Sequence, residues 1–160
     1  HRFEFYAHQT MVARDGRRIM WRWAGMMTPE REAALPTIQN RKWVHVLSLP
    51  RELHVNDKLQ LVQQPITEII DTAVLTSFDN VSIGQYRIPT TADWTIKFSD
   101  RAILSRHHNK LVFERQQWES DQVETRQLTG DLNNLLLIVD VDVIEVYTDD
   151  GLNAMRARWF

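Results

Sequence analysis

The stretch LLLIVDVDVIEVYTDDGLNAMRARWF, residues 135–160, decides how this chain is read. Leu137, Val139 and Val141 alternate with Ile138, Asp140 and Asp142, and Ile144 and Val146 alternate with Glu145 and Tyr147. Period-two alternation rich in β-branched residues describes strands half buried against a second layer. Asp149-Asp150-Gly151 reads as a turn, glycine tolerating the positive φ that such turns need. In the strand beyond it, Met155, Ala157 and Trp159 share one face and are expected in the core. Arg156 and Arg158 share the other and are expected in solvent. The carboxylates Asp140, Asp142, Glu145, Asp149 and Asp150 could cluster as oxygen ligands for calcium. A solvated sheet face ending in an acidic turn accounts for them more simply.

Upstream of this stretch the pattern stays β-like. Segments 74–78, 82–88, 94–98, 102–105, 111–115 and 122–128 alternate. Turns fall at Asp79-Asn80, Ser99-Asp100, His107-His108-Asn109 and Thr129-Gly130-Asp131. Many short, evenly spaced strands predict a β-sandwich over residues 72–160. Trp94, Phe113 and Trp118 could line a sugar-binding groove, but packing between two sheets is the simpler use for them. His107 and His108 are adjacent in a turn, a spacing that does not aim both rings at one metal.

Residues 65–71, PITEIID, form one helical turn or two and make the best linker. Before them, 1–7, 11–13 and 17–23 read as strands, the latter two joined through Arg14-Asp15-Gly16. Thr28-Pro29-Glu30 has the residues of a helix start, and the short helix is expected to run to about Leu35, before Pro36. Segment 43–49 alternates until Pro50, and 53–55 and 59–62 flank a turn at Asn56-Asp57-Lys58.

Composition excludes several classes. A formal net charge of −2 gives no basic field for nucleic acid. No apolar run approaches the ~20 residues of a membrane-crossing helix. With no Cys there is no disulfide, thiolate site or Cys-based zinc site, which suits a cytoplasmic protein. Ser and Thr are spread without a paired His and acid, so serine-type nucleophilic catalysis has no support. The chain starts in strand-like sequence without an initiating Met, and is expected to be a fragment.

Leu135, Val139, Asp140, Glu145, Val146, Asp150 and Gly151 match a pattern L-x-I-F-V-D-x-S-x-V-E-V-F-x-N-D-G, with Ile144 for Val and Tyr147 for Phe. That pattern belongs to glycoside hydrolase family 32, the invertases, fructan hydrolases and sucrose-6-phosphate hydrolases, which the chain resembles. Asp142 and Asp149 depart from its Ser and Asn. Glu4-Phe5-Tyr6-Ala7-His8-Gln9 is similar to the family's D-F-Y-A-x-Q, and residues 16–23, GRRIMWRW, to G-R-R-I-x-x-G-W, with Arg22 in place of Gly. Pro36-Thr37, Trp43 and Leu49-Pro50-Arg51-Glu52-Leu53 follow in the family's order. The run from Gly16 most resembles the bacterial intracellular sucrose-6-phosphate branch.

The resemblance implies an all-β fold, a C-terminal β-sandwich preceded by the last strands of a five-bladed β-propeller. Residues 1–64 would end the propeller, 65–71 link, and 72–160 form the sandwich. It implies a retaining β-fructofuranosidase acting on fructose-containing saccharides without cofactor or metal. Such chemistry needs two carboxyl groups about 5–5.5 Å apart. The family's D-P-N/D-G, R-D-P and E-C-P motifs are absent from this sequence, so no catalytic residue is assigned, and the isolated chain is expected to be inactive. Carried over residue by residue, Glu4, Tyr6 and Trp23 are the candidate substrate contacts, although Tyr6 and Trp23 could equally be blade core. The resemblance leaves the apolar strand faces of residues 1–64 without neighbouring blades, which predicts self-association through them. The competing reading is an autonomous carbohydrate-binding or subunit-association module. It would show an exposed aromatic row, or a large apolar patch, on residues 72–160.

Overall fold

The computed structural model describes residues 5–41, 43–89 and 91–160, and they form a mostly β protein of three sheets. The first sheet is built from β1 (Phe5–Val12), β2 (Arg18–Ala24), β3 (Val46–Leu47), β4 (Arg51–Val55) and β5 (Leu61–Pro65). Its order is β1-β2-β4-β5, with β3 pairing on β2 beside β4. The β1–β2 turn forms as expected. Gly16 takes φ +88° and the Asp15 carboxylate accepts from the Arg17 backbone N–H at 3.1 Å.

Two short helices interrupt this sheet. Helix α1 (Pro29–Ala33) starts where its residues predict, the Thr28 hydroxyl accepting from Arg31 N–H at 3.3 Å. Pro36 does not end the helical stretch. It opens α2 (Pro36–Arg41), because proline's fixed φ suits the first helical position as well as it ends a helix. The strand expected over 43–49 shrinks to the two residues of β3. A single 3₁₀ turn, Thr67–Ile69, then leads to the C-terminal sheets.

These are β11-β10-β9-β8 and β14-β13-β12-β7-β6. Their strands are β6 (Ala73–Val74), β7 (Gly84–Ile88), β8 (Trp94–Ser99), β9 (Ala102–His107), β10 (Lys110–Gln116), β11 (Val123–Thr129), β12 (Leu135–Val139), β13 (Val143–Thr148) and β14 (Asn153–Arg158). All pairs are antiparallel except β6–β7. One apolar core lies between the two sheets. Trp94, Ile96, Leu104, Leu111 and Phe113 come from one side, Leu135, Leu137, Ile144, Val146, Met155 and Ala157 from the other. Trp159 is only half buried against this core, its indole N–H donating to the Asp140 carbonyl at 3.2 Å.

The other face of β12–β14 departs from expectation. Arg156 and Arg158, expected in solvent, are 3% and 1% exposed, and Asp142 and Glu145 are 4% and 2% exposed. The first sheet and the segment leading into it lie over them. Leu49 and Ile70 pack on Leu136, Ile138 and Tyr147. Strands β12 and β13 are therefore buried on both faces, which a near-continuous apolar run such as LLLIV allows.

Candidate functional site

Two parts of the N-terminal sheet bear on function, one on each of its faces. The first is the aromatic rim. Tyr6 and Trp23 are direct cross-strand partners on β1 and β2, so their side chains share one face. Between Tyr6 and Gln9 the register shifts and Ala7 takes φ +44°, a bulge that re-aims the side chains at the start of β1. Tyr6 is about half exposed and Trp23 half buried. The Trp23 ring meets His45 edge-on at 4.7 Å. A Cβ at Gly25 would sit 2.3 Å from His45 Nδ1 and 2.5 Å from the Trp23 ring, so only glycine leaves this pair in place. His45 Nε2 lies 3.6 Å from Glu32 Oε2. An indole and a phenol on one open face suit the C–H groups and hydroxyls of a sugar. Glu4, the third residue carried over, lies outside the described residues.

The opposite face carries buried charge. Arg51 donates to Glu145 Oε2 from Nη2 at 2.8 Å, and the Leu49 backbone N–H donates to Oε1 at 2.9 Å. The Tyr147 hydroxyl also donates to Glu145, and Arg156 Nε stands 3.6 Å from it. Asp142 accepts from Arg158 Nη2 at 2.5 Å and from the Trp43 indole at 3.3 Å. Arg158 further donates to the Val44 carbonyl at 2.7 Å and the Thr37 hydroxyl at 3.1 Å, and Arg156 to the Leu47 carbonyl at 3.1 Å. The C-terminal sheet thus grips the segment on both sides of His45, the residue that buttresses Trp23. Burial pushes the Tyr147 phenol well above its ordinary range, with Glu145 adding to it. Burial would lower the Arg51 guanidinium, but Glu145 and Tyr147 outweigh it and the net shift is upward.

The remaining candidates resolve into structural roles. Asp149 accepts from Asn133 N–H at 2.9 Å and the Asn153 amide at 2.8 Å, and Asp150 from the Asn134 amide at 2.8 Å, so both fasten their turn. Together with buried Asp142 and Glu145, this replaces the solvated acidic face with ion pairs and turn contacts. Among the described residues no group of three or more His, Asp or Glu could hold a metal. His107 and His108 are exposed beside Asp93, whose carboxylate accepts from the His108 backbone N–H at 2.7 Å. Trp94 and Phe113 are core. Trp118 is buried between the Arg31 and Arg115 guanidiniums, 4.2 and 4.6 Å from its ring. The strongly exposed large apolar residues of 72–160 are, among those described, Val74, Ile83, Val123 and Leu152, and none is aromatic.

Comparison with known proteins agrees with the motif reading. Residues 1–65 match the sequence profile of the "Glycosyl hydrolases family 32 N-terminal domain". The chain is 45% identical to the sucrose-6-phosphate hydrolase of Vibrio alginolyticus, over 99% of its own length and 35% of the relative's. Against the sucrose-6-phosphate hydrolase of Bacillus subtilis it is 26% identical, covering 99% of this chain and 36% of that one. The chain therefore spans about a third of the length of the curated relatives it matches. Its fold matches the structure of sucrose-6-phosphate hydrolase from Lactobacillus gasseri with a TM-score of 0.69 at 20% identity, over 99% of this chain and 37% of that one.

Proposed function

We propose that this chain, a homologue of the family 32 glycosyl hydrolases along its whole length, is the C-terminal part of a retaining β-fructofuranosidase of the sucrose-6-phosphate hydrolase kind. Residues 1–64 are the end of its propeller, 65–71 the linker and 72–160 the sandwich. The parent hydrolyses sucrose, sucrose-6-phosphate or a fructan in the cytoplasm. The present residues supply support and a sugar-contacting rim, and the two catalytic carboxyl groups come from elsewhere in the parent. The observation that carries this is the rim itself. Tyr6 and Trp23, matched to the family's D-F-Y-A and G-W motifs, stand opposite one another on one face, with His45 and Gly25 shaping Trp23 from behind.

The chemistry assigns the rim a modest role. Stacking against sugar C–H groups orients the ring, while protonation of the leaving oxygen and attack at the anomeric carbon need the carboxyl pair. The inner face of the N-terminal sheet has its cover in the C-terminal sheet. Self-association, if it occurs, uses the outer face, where Tyr6 and Met11 are about half exposed. The test is fructose release from sucrose and sucrose-6-phosphate, by the 160-residue chain alone and by the whole reading frame that encodes it. Turnover is expected only from the latter, and Trp23→Ala there should lower kcat/KM by tenfold or more, about the 1.4 kcal/mol of one good contact. Turnover by the chain alone, surviving purification, would overturn the reading.

A further inference from the structure

The buried face between the N-terminal sheet and β12–β14 does not balance its charge. Arg51, Arg156 and Arg158 gather there around Glu145 and Asp142. Arg126 reaches in from β11, donating to the Arg156 carbonyl at 3.1 Å. Arg22 enters from β2, donating to Gln63 Oε1 at 3.5 Å, the oxygen that also accepts from Arg51 at 3.3 Å. Five guanidiniums thus face two carboxylates. Burial, with Arg51 and Arg126 nearby, pulls the Arg22 guanidinium down to about 10.

One member of the cluster has donors left over. Arg156 is 3% exposed, and its Nη2 donates to the Leu47 carbonyl. Its Nη1 has no hydrogen-bond partner, and its Nε has only Glu145 Oε1, at 3.6 Å. A buried guanidinium with unmet N–H groups is costly unless an acceptor joins it. Arg22 and Arg126 are only half buried, so the cluster reaches solvent through them. Arg22 also stands where the family pattern has Gly, which makes this charge a departure of the chain's own.

We propose that this interface holds a phosphate-class oxyanion, clasped by Arg156 from beneath and by Arg22 and Arg126 at its mouth. The guanidinium fork matches the paired oxygens of a tetrahedral oxyanion, and a dianion offsets most of a threefold charge surplus. The site is separate from the aromatic rim, because Arg22 and Trp23 are consecutive on β2 and point to opposite faces. It would tie the N-terminal sheet to the C-terminal one, and it does not depend on the glycosidase reading.

Isothermal titration of the 160-residue chain with inorganic phosphate tests it, at ionic strength held constant with gluconate. Glucose 6-phosphate and glucose serve as parallel arms. One site per chain is expected, with glucose silent. Inorganic phosphate binding alone identifies the free ion as the occupant; glucose 6-phosphate binding as tightly, or alone, identifies a phosphate carried on a sugar. Arg22→Gly, the family's own residue, should weaken binding about tenfold or more by losing one charged hydrogen-bond donor. Arg156→Lys, which keeps the charge and loses the fork, should weaken it with the far-UV spectrum unchanged. The proposal is overturned if neither phosphate binds, or if both variants titrate like the parent chain.

Discussion

The sheet β6-β7-β12-β13-β14 is buried on both sides, by opposite chemistry. Towards β8–β11 it presents Leu137, Val146, Met155 and Ala157 to an apolar core. Towards the N-terminal sheet it presents Glu145, Arg156, Arg158 and Asp142 in charged pairs, with Leu136, Ile138 and Tyr147 among them. The first interface is held by non-directional burial, which tolerates volume-conserving change. The second contributes less net stability, because both partners must be desolvated. It is strict about geometry instead. Each donor at Val44, Leu47 and Leu49 has one place to go, so this side fixes where one particular segment lies.

Single substitutions should separate the two sides. Glu145→Ala strands Arg51 and Arg156 without their carboxylate and should cost about 3–5 kcal/mol in urea denaturation. A loss below about 1 kcal/mol would mean water enters that interface freely. Leu104→Ala, in the apolar core at 0% exposure, should cost about 2–5 kcal/mol by leaving a cavity. It should leave the ordering of residues 43–49 untouched, which amide exchange can check. Trp159→Ala removes a half-buried ring and should fall below the ~3–5 kcal/mol typical of a buried tryptophan. Thr28→Ala touches neither interface and removes only the cap of α1, for about 1 kcal/mol.

Acid sharpens the contrast further. Burial would raise the Glu124 carboxyl, but the Arg31 and Arg115 guanidiniums, 2.9 and 2.7 Å away, outweigh it and hold it below the usual range. A carboxyl depressed in the folded state stabilises above its unfolded pKa of about 4.3, and loses that contribution as pH falls through the folded value. The Glu124→Gln variant should therefore lose less stability than the parent chain between about pH 5 and 2. Equal pH slopes would show that the Arg31–Glu124–Arg115 bridge is not held in solution.

The strands and their turns were legible because alternation and turn chemistry are local. Asp149-Asp150-Gly151 and Asn56-Asp57-Lys58 need only their own residues to be understood. Which face of a strand meets water is not local, and there the reading of Arg156 and Arg158 failed. A signal was present: Glu145 stands opposite Arg156 across β13–β14, on the face where Leu136 and Ile138 are also found. Apolar residues among complementary charges mark a covered face, not a solvated one. Pro36 was misread because proline both ends helices and begins them. Of the rim, the motifs named Tyr6 and Trp23. They could not name His45, whose place depends on hydrogen bonds from β14 more than a hundred residues away.

Gly151 limits where this chain can be opened. It takes φ +93°, and a Cβ there would sit 2.5 Å from the Gln63 carbonyl oxygen on β5. The missing side chain is therefore a docking surface, where the last hairpin seats directly on the backbone of the N-terminal sheet. An affinity tag, a reporter domain or a new pair of termini placed at that turn would pry the two apart. The turn at His107-His108-Asn109 resembles it in sequence position between two strands, yet all three residues are exposed. That is the hairpin at which the chain can be cut, extended or rejoined with both interfaces left intact.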